Sequence, residues 1–280
     1  MIRWRDGIVE VMVVDGTKPM SMAGQTALVT GASSGIGAAF ADALARRNAN
    51  LVLVARSTQV LEQTARRLRA EHGVRVDVLT CDLVADRAVA SLCAQLDALG
   101  ISVDVLINNA GFATQGRFET IPAERDRDQV LLNVLAVVEL CHALAPAMAA
   151  RGTGAIVNLA STGGFQPAPY LAVYGASKAF VLSFSQALSG ELRGRGIRVL
   201  ALCPGPVDTA FFDVLGSRDA AIGQHLSADV VVDKALTALA RGRSVVVPGW
   251  RNALTARLVR LLPQSVALAL AERAARSVVT

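Results

Sequence analysis

The chain predicts a single doubly wound parallel sheet with helices on both faces. Three observations carry this. Short runs that are apolar throughout recur from residue 25 onward, the pattern of strands buried on both faces. Helix-length stretches with apolar residues on one face lie between them. The first run breaks into glycines just before the first helical stretch, as in a sheet that takes a ligand at a helix N-terminus.

The elements follow in order. Residues 26–30 (Thr-Ala-Leu-Val-Thr) form the first strand, ended by Gly31. Residues 35–47 form the first helix, because Ile36, Phe40 and Leu44 fall on one face. A second strand over 51–55 and a second helix over 59–71 repeat the pattern. Further strands are expected over 74–81, 103–107, 155–159 and 197–203, with helices near 87–99, 129–150 and 172–193, and a seventh strand fits 244–247. Right-handed crossovers give a Rossmann-like sheet. Pro263 splits a tail into helices over 251–262 and 265–276. Nothing in the composition divides the chain further. The expected organisation is an N-terminal extension over 1–24, a catalytic domain over 25–250 and an amphipathic helical tail over 251–280.

At 280 residues, 52% apolar and 18% charged, the chain is globular rather than disordered. Aromatics are only 4%, so the core is aliphatic. The net charge of +5 comes with no block of like charges, so no nucleic-acid partner is expected. Lysine occurs only at Lys18, Lys178 and Lys234. Cys81, Cys93, Cys141 and Cys203 lack metal-ligand spacing and read as buried thiols in a reducing compartment, with Cys81 and Cys203 on inner strands. His72, His142 and His225 likewise lack ligand spacing, so no metal is expected. No stretch reads as a membrane span or a signal peptide, and a cytoplasmic location is expected. Residues 1–20 read as a floppy extension or an over-long start, since Met20 and Met22 both precede the first clear strand.

Chemistry concentrates at two places. The loop from Thr30 to Gly37 has the spacing G-x-x-x-G-x-G between the first strand and the first helix. Glycines there permit a sharp turn and close backbone approach, and the helix start offers free N–H groups to a pyrophosphate. A glycine-rich turn without a ligand is the plain alternative. The second strand ends in Ala55 and Arg56, where NAD-binding sheets place an acid for the ribose 2′-hydroxyl. An arginine attracts a 2′-phosphate, so NADP(H) is expected over NAD(H), with Ser33 and Ser57 as further donors. Arg56 as a solvated helix-entry residue is the alternative. Tyr174 and Lys178 lie four apart and so share a helical face. An ammonium there lowers the phenol's pKa and lets it exchange a proton near neutral pH, although this spacing also occurs on ordinary surface helices.

These residues are joined by Asp82 after the third strand, Asn108-Asn109-Ala110-Gly111 after the fourth and Asn133 in the next helix. Ser161 follows the fifth strand and Pro204-Gly-Pro-Val-Asp-Thr209 the sixth. Together and in this order they resemble the short-chain dehydrogenase/reductase family in its form of about 250 residues. The resemblance implies that Tyr174 is the general acid or base. Lys178 tunes it and holds the nicotinamide ribose, Ser161 bonds the substrate oxygen, and Asn133 holds a water that relays protons to Lys178. It implies a cofactor held by Gly31, Ser33, Ser34, Gly35, Ile36 and Gly37, with Asp82 and Leu83 at the adenine. Asn109, Ala110 and Gly111 pack along the ribose and phosphate, and Pro204, Gly205, Val207 and Thr209 close over the nicotinamide. It also implies a homodimer or homotetramer paired through the helices over 129–150 and 172–193. Each residue has a plainer reading: Ser161 a loop serine, Asn133 a solvent-facing residue, Asp82 a helix cap, Asn108-Asn109 a turn, and Pro-Gly-Pro punctuation.

Phe112, Phe118, Phe165, Tyr170, Phe211, Phe212, Val214 and Leu215 flank this site and suggest a hydrophobic substrate. The expected activity is NADP(H)-dependent interconversion of a carbonyl and an alcohol on a ketosteroid, 3-ketoacyl or similar lipid-like molecule. A non-catalytic NADP-binding sensor or scaffold on the same fold is the alternative. In the tail, Leu254, Leu258, Leu261 and Leu262 alternate with Arg251, Arg257 and Arg260. That pattern suits a membrane surface, a cover over the pocket or a second subunit; docking on its own domain is the plain alternative.

Overall fold

Two sheets form. The first is an N-terminal hairpin of β1 (Ile2–Arg5) and β2 (Ile8–Val11), paired antiparallel in a stretch where no regular element is expected. The second is the central sheet: β3 (Thr26–Thr30), β4 (Asn50–Ala55), β5 (Val76–Thr80), β6 (Val105–Asn108), β7 (Gly154–Leu159), β8 (Ile197–Leu202) and β9 (Val245–Val246). Its strands are all parallel and run in the order β5-β4-β3-β6-β7-β8-β9. The computed structural model describes residues 2–5, 8–11, 21–208 and 223–276. Thr209 and the pocket candidates Phe211, Phe212, Val214 and Leu215 lie outside those residues.

Strand residues alternate between two cores because both sheet faces are covered. Ala27, Val29, Leu51 and Leu53 pack on one side with Phe40 and Leu44 of α1 (Gly35–Ala45) and Leu61 and Leu68 of α2 (Thr58–His72). Leu28, Val52 and Val54 pack on the other, with Leu92 of α3 (Ala88–Ala98) and Leu140 and Met148 of α5 (Ala136–Arg151). Phe40 is the one aromatic among the largest fully buried side chains, so the core is aliphatic. The sheet order reverses between β3 and β6, the switch point where open α/β sheets bind ligands beyond their strand ends.

Several expectations shift. The helix expected over 129–150 begins earlier, as α4 (Ala123–Val130) after Pro122. It passes through a π-helical turn at Leu131–Leu135 before continuing as α5. This 29-residue stretch has a window of mean hydropathy 1.9 and is long and apolar enough to cross a membrane, against the sequence expectation. Only 33% of that window is buried. After α6 (Ala172–Leu192) and β8 comes an unanticipated helix, α7 (Ala228–Ala240), whose N-terminus is capped by Ser227 Oγ accepting from the Val230 N–H at 3.4 Å. The tail forms α8 (Trp250–Val259) and α9 (Gln264–Arg276). Cys141 and Cys203 are buried, but Cys81 and Cys93 are half-buried, because Cys81 follows β5 at the sheet edge.

Candidate active site

The carboxyl ends of β3, β6, β7 and β8 converge on one rim of the sheet, and α6 crosses it. The glycine loop opens this rim. Gly31 takes φ +64°, a backbone conformation that glycine adopts without strain. At Gly37 a Cβ would collide with the Gly31 carbonyl oxygen, so only glycine lets the first turn of α1 pack onto the loop. Ser34, the residue before α1, makes no side-chain cap bond, which leaves its hydroxyl and the first N–H groups of the helix for an anion. This cradle fits a dinucleotide pyrophosphate.

The loop is held from beneath by residues to which the sequence reading gave no structural part. Thr30 Oγ1 accepts from the backbone N–H groups of Asn109 and Ala110, both at 3.0 Å, and donates to the Ile107 carbonyl at 3.3 Å. The Asn109 amide donates to the carbonyls of Thr30 (2.9 Å) and Gly31 (3.2 Å), so its side chain braces the loop. Asn108 is no simple turn residue. It is buried and donates to Asn158 Oδ1 at 2.9 Å; Asn158 donates to Ser185 Oγ at 3.0 Å, tying β6, β7 and α6 together.

Ser161, Tyr174 and Lys178 meet at the rim. Ser161 Oγ accepts from the Gly163 N–H at 3.0 Å and hydrogen-bonds the Tyr174 phenol. Burial pushes the phenol above its ordinary pKa, and the Ser161 bond pulls against that rise. Lys178 is buried and donates to the Leu159 carbonyl at 2.7 Å, with its Nζ 5.7 Å from the Tyr174 ring centroid. Burial drives Lys178 down to about 8, with Cys203 opposing. The ammonium of Lys178 lies over the Tyr174 ring rather than in a hydrogen bond with the phenol oxygen, and Ser161 is the group whose hydrogen bond opposes the rise. Gly164 lets this loop press onto α6, since a Cβ there would lie 2.8 Å from the Lys178 carbonyl.

Asn133 sits in the π-helical turn and is buried, which rules out the solvent-facing reading. Its Oδ1 accepts from the Phe112 N–H (3.2 Å), and its Nδ2 donates to the Phe112 carbonyl (2.9 Å) and Ser177 Oγ (3.2 Å). The side chain thus joins two protein segments. Gly111 lies between Asn133 and Lys178, where a Cβ would come 2.9 Å from Asn133 Oδ1 and 3.6 Å from Lys178 Nζ.

The outer cofactor candidates fall around this core. Arg56 is exposed beyond β4 and makes no ion pair among the described residues. Asp82 is exposed and accepts from the Val84 N–H at 3.2 Å, a turn rather than a cap on α3; Leu83 is buried beside it. The Pro204 carbonyl accepts from the Thr162 N–H at 2.9 Å, which fixes the run after β8 against the Ser161 loop. Val207 bridges to Leu226. Gly205 packs on Asn252, a buried residue of α8 that the sequence reading passed over; Asn252 accepts from the Gln224 N–H (2.8 Å) and donates to its carbonyl (3.0 Å). Tyr170, ahead of α6, has φ +63°, and its carbonyl accepts from the Gly116 N–H at 2.9 Å. It lines a small cavity of about 30 Å³ with Thr114, Phe118, Ile121 and Val173. Asp42, Glu71 and His72 bring ligand-type atoms within 4.8 Å of one another, but Arg67 already bridges both carboxylates at 2.8 and 3.0 Å.

A nucleotide cradle at the switch point, beside a Ser–Tyr–Lys group whose lysine is buried, defines a dinucleotide-dependent oxidoreductase. The chain belongs to the short-chain dehydrogenase/reductase family, and the family model described as short chain dehydrogenase matches residues 25–219. It is an NAD(P)-dependent enzyme acting on CH–OH and C=O groups. It is 32% identical over 242 residues to ketoacyl reductase HetN of Nostoc sp., covering 86% of this chain and 84% of that protein. Among solved structures it is similar to a short-chain dehydrogenase from Sphingobium yanoikuyae in complex with NADPH. That likeness has 40% identity and a TM-score of 0.78, over 85% of this chain and 91% of that one. It is also similar to the bulky-bulky ketone specific alcohol dehydrogenase from Comamonas testosteroni, with 37% identity and a TM-score of 0.71, over 86% and 96% of the two chains.

Proposed function

We propose that the chain is an NADP(H)-preferring reductase of hydrophobic ketones, of which 3-ketoacyl chains are the substrate class of choice. The observation that carries the chemistry is the Ser161–Tyr174 hydrogen bond beside buried Lys178. The substrate class draws on the likeness to a ketoacyl reductase and to a bulky-ketone dehydrogenase, and on the apolar Phe112, Phe118 and Phe165 around the rim. The preference for NADP(H) draws on unpaired Arg56 and on the likeness to an NADPH-bound enzyme.

A bound nicotinamide supplies the hydride to the carbonyl carbon. As charge grows on the carbonyl oxygen, Ser161 donates a hydrogen bond to it, since the Gly163 N–H occupies only an acceptor site of the hydroxyl. Tyr174 delivers its proton to that oxygen, giving the alcohol. The charge left on the phenol is offset by the Lys178 ammonium over the ring. Leu159 takes one of the three Lys178 N–H groups, leaving two for the ribose hydroxyls. In this reading Asn133 acts by positioning Ser177 and the Phe112 backbone rather than by holding a water through its amide.

The test is NADPH oxidation over a panel of 3-ketoacyl thioesters, bulky ketones and sugars, with Tyr174→Phe as the blank. Turnover of the thioesters and ketones by the wild type alone supports the reading; preferential turnover of the sugars overturns the substrate class.

We also propose pairing of two copies through the faces of the π-helical turn and α6. An apolar groove of about 430 Å³ lies there, lined by Val130, Val134, Val173, Ala176 and Phe180, and it holds none of Ser161, Tyr174 or Lys178. Sedimentation of Phe180→Asp as a monomer, against a wild-type dimer or tetramer, tests this.

A further inference from the structure

We propose that the outward face of α8 docks the protein on an anionic lipid surface. Trp250, Leu254 and Leu258 follow one another at intervals of four residues, which places them on one helical stripe, and Leu261 follows in the turn just after the helix. The helix is fixed to its domain from the opposite side. Asn252 and Ala256, half a turn away from the stripe, are only 4% and 6% exposed, and Asn252 carries the bonds to Gln224 and Pro248. The stripe therefore faces away from the protein, with Trp250 68%, Leu254 49% and Leu258 52% exposed, and Leu261 beyond the helix end is 80% exposed. An amphipathic helix in a globular domain normally buries its apolar residues. Here the helix is docked through an asparagine and an alanine, and the large apolar residues point outward.

Charge chooses the occupant. Arg251 and Arg257 flank the stripe and Arg260 follows one turn on; none forms an ion pair among the described residues. The segment 250–276 contains five arginines and a single acid, Glu272. A protein partner of ordinary surface would leave these arginines unmatched, whereas anionic headgroups satisfy each of them, at about 1 kcal/mol per basic residue near such a surface. Trp250, with Arg251 stacked 5.3 Å from its ring centre, is the residue type that lies at headgroup level while leucines reach the acyl boundary. The docked face also borders the catalytic rim. Arg260 lies 5.8 Å from the ring centre of Phe165, in the loop that follows Ser161. A lipid-like substrate then reaches the rim from the surface on which the protein rests. The docking itself does not depend on the catalytic reading.

The test is co-sedimentation of the full chain with phosphatidylcholine vesicles with and without phosphatidylglycerol. Binding is expected to the anionic vesicles, weakened by salt, and reduced at least about tenfold both in Leu258→Asp/Leu261→Asp and in Arg251→Glu/Arg257→Glu. Thermal unfolding of the variants at the wild-type midpoint shows that the fold is kept, and Trp250 fluorescence in a Trp4→Phe background should shift to the blue on binding. No binding to anionic vesicles, or equal binding by the variants, overturns the proposal. So does a vesicle-free wild-type oligomer that Leu258→Asp/Leu261→Asp dissociates, because a second copy then covers the stripe.

Discussion

The Lys178 ammonium stands 5.7 Å from the centre of the Tyr174 ring and gives its hydrogen bond to Leu159 instead. Burial raises the Tyr174 pKa and the Ser161 hydrogen bond opposes that rise; the net upward shift favours a phenol that carries its proton at neutral pH. That suits carbonyl reduction, which consumes a proton. Tyr174→Phe removes this donor without changing the shape of the site. Turnover should fall at least about a thousandfold, within the range for loss of a positioned acid, while fluorescence titration should show NADPH binding little changed. Full turnover by the variant would refute the assignment.

Burying Lys178 as a cation has a cost that depends on pH. Its folded pKa of about 8 lies below its ordinary 10.5. Between those values the unfolded chain holds a proton that the folded chain has released, so this group makes stability rise with pH across that window. Below about 8 the full cost is present. Lys178→Met should abolish reduction yet raise stability at pH 7 by up to about 3 kcal/mol, less the lost bond to Leu159, with the gain shrinking toward pH 10.5. Urea unfolding at pH 7 and pH 10 checks this; a gain independent of pH would mean that charge burial is not its origin.

The proposed preference for NADP(H) assigns Arg56 to the 2′-phosphate, and no carboxylate among the described residues pairs with it. Arg56→Asp converts attraction into repulsion. The ratio of kcat/KM for NADPH over NADH should drop by at least about tenfold, mostly through KM for NADPH, since a charge-assisted bond is worth about 1.5–3 kcal/mol. An unchanged ratio would sink the cofactor preference.

Most of the sheet was legible because its strands are apolar on both faces; β3 falls at Thr26–Thr30 in sequence and structure alike. The glycine loop and the Tyr174/Lys178 pair were legible because each is a local spacing on one element. What escaped was set by contacts distant along the chain. The Ser227 cap and the apolar period through Val231, Ala235 and Leu239 were signals for α7 that the sequence reading passed over. Asn252 gave no local signal, since its partners at Gln224 and Gly205 lie 28 and more residues away. Asn133 was visible as a site residue, but its amide bonds across to Phe112 and Ser177, which no spacing encodes. The tail's basic, apolar pattern was readable, whereas which side of α8 faces the protein was not.

Thr30 shows how a strand end positions the cradle. Its hydroxyl is buried and takes two backbone N–H groups, those of Asn109 and Ala110, while its own proton goes to Ile107. The Asn109 N–H also reaches the Ile107 carbonyl at 3.1 Å, whereas no other hydrogen bond of the Ala110 N–H is seen among the described residues, so a residue of the same shape without the oxygen leaves the Ala110 donor unsatisfied. Thr30→Val should lower stability by about 1–3 kcal/mol, the cost of one orphaned buried donor. Because the loop over 109–111 then shifts against Gly31, KM for NADPH should rise as well. Thr30→Ser keeps the oxygen and loses one methyl group, so its cost should stay near 1 kcal/mol with KM for NADPH unchanged. Denaturant unfolding and NADPH titration of the two variants separate the hydroxyl from the methyl. If valine and serine behave alike, the hydroxyl does not brace the loop, and the order at this rim comes from packing alone.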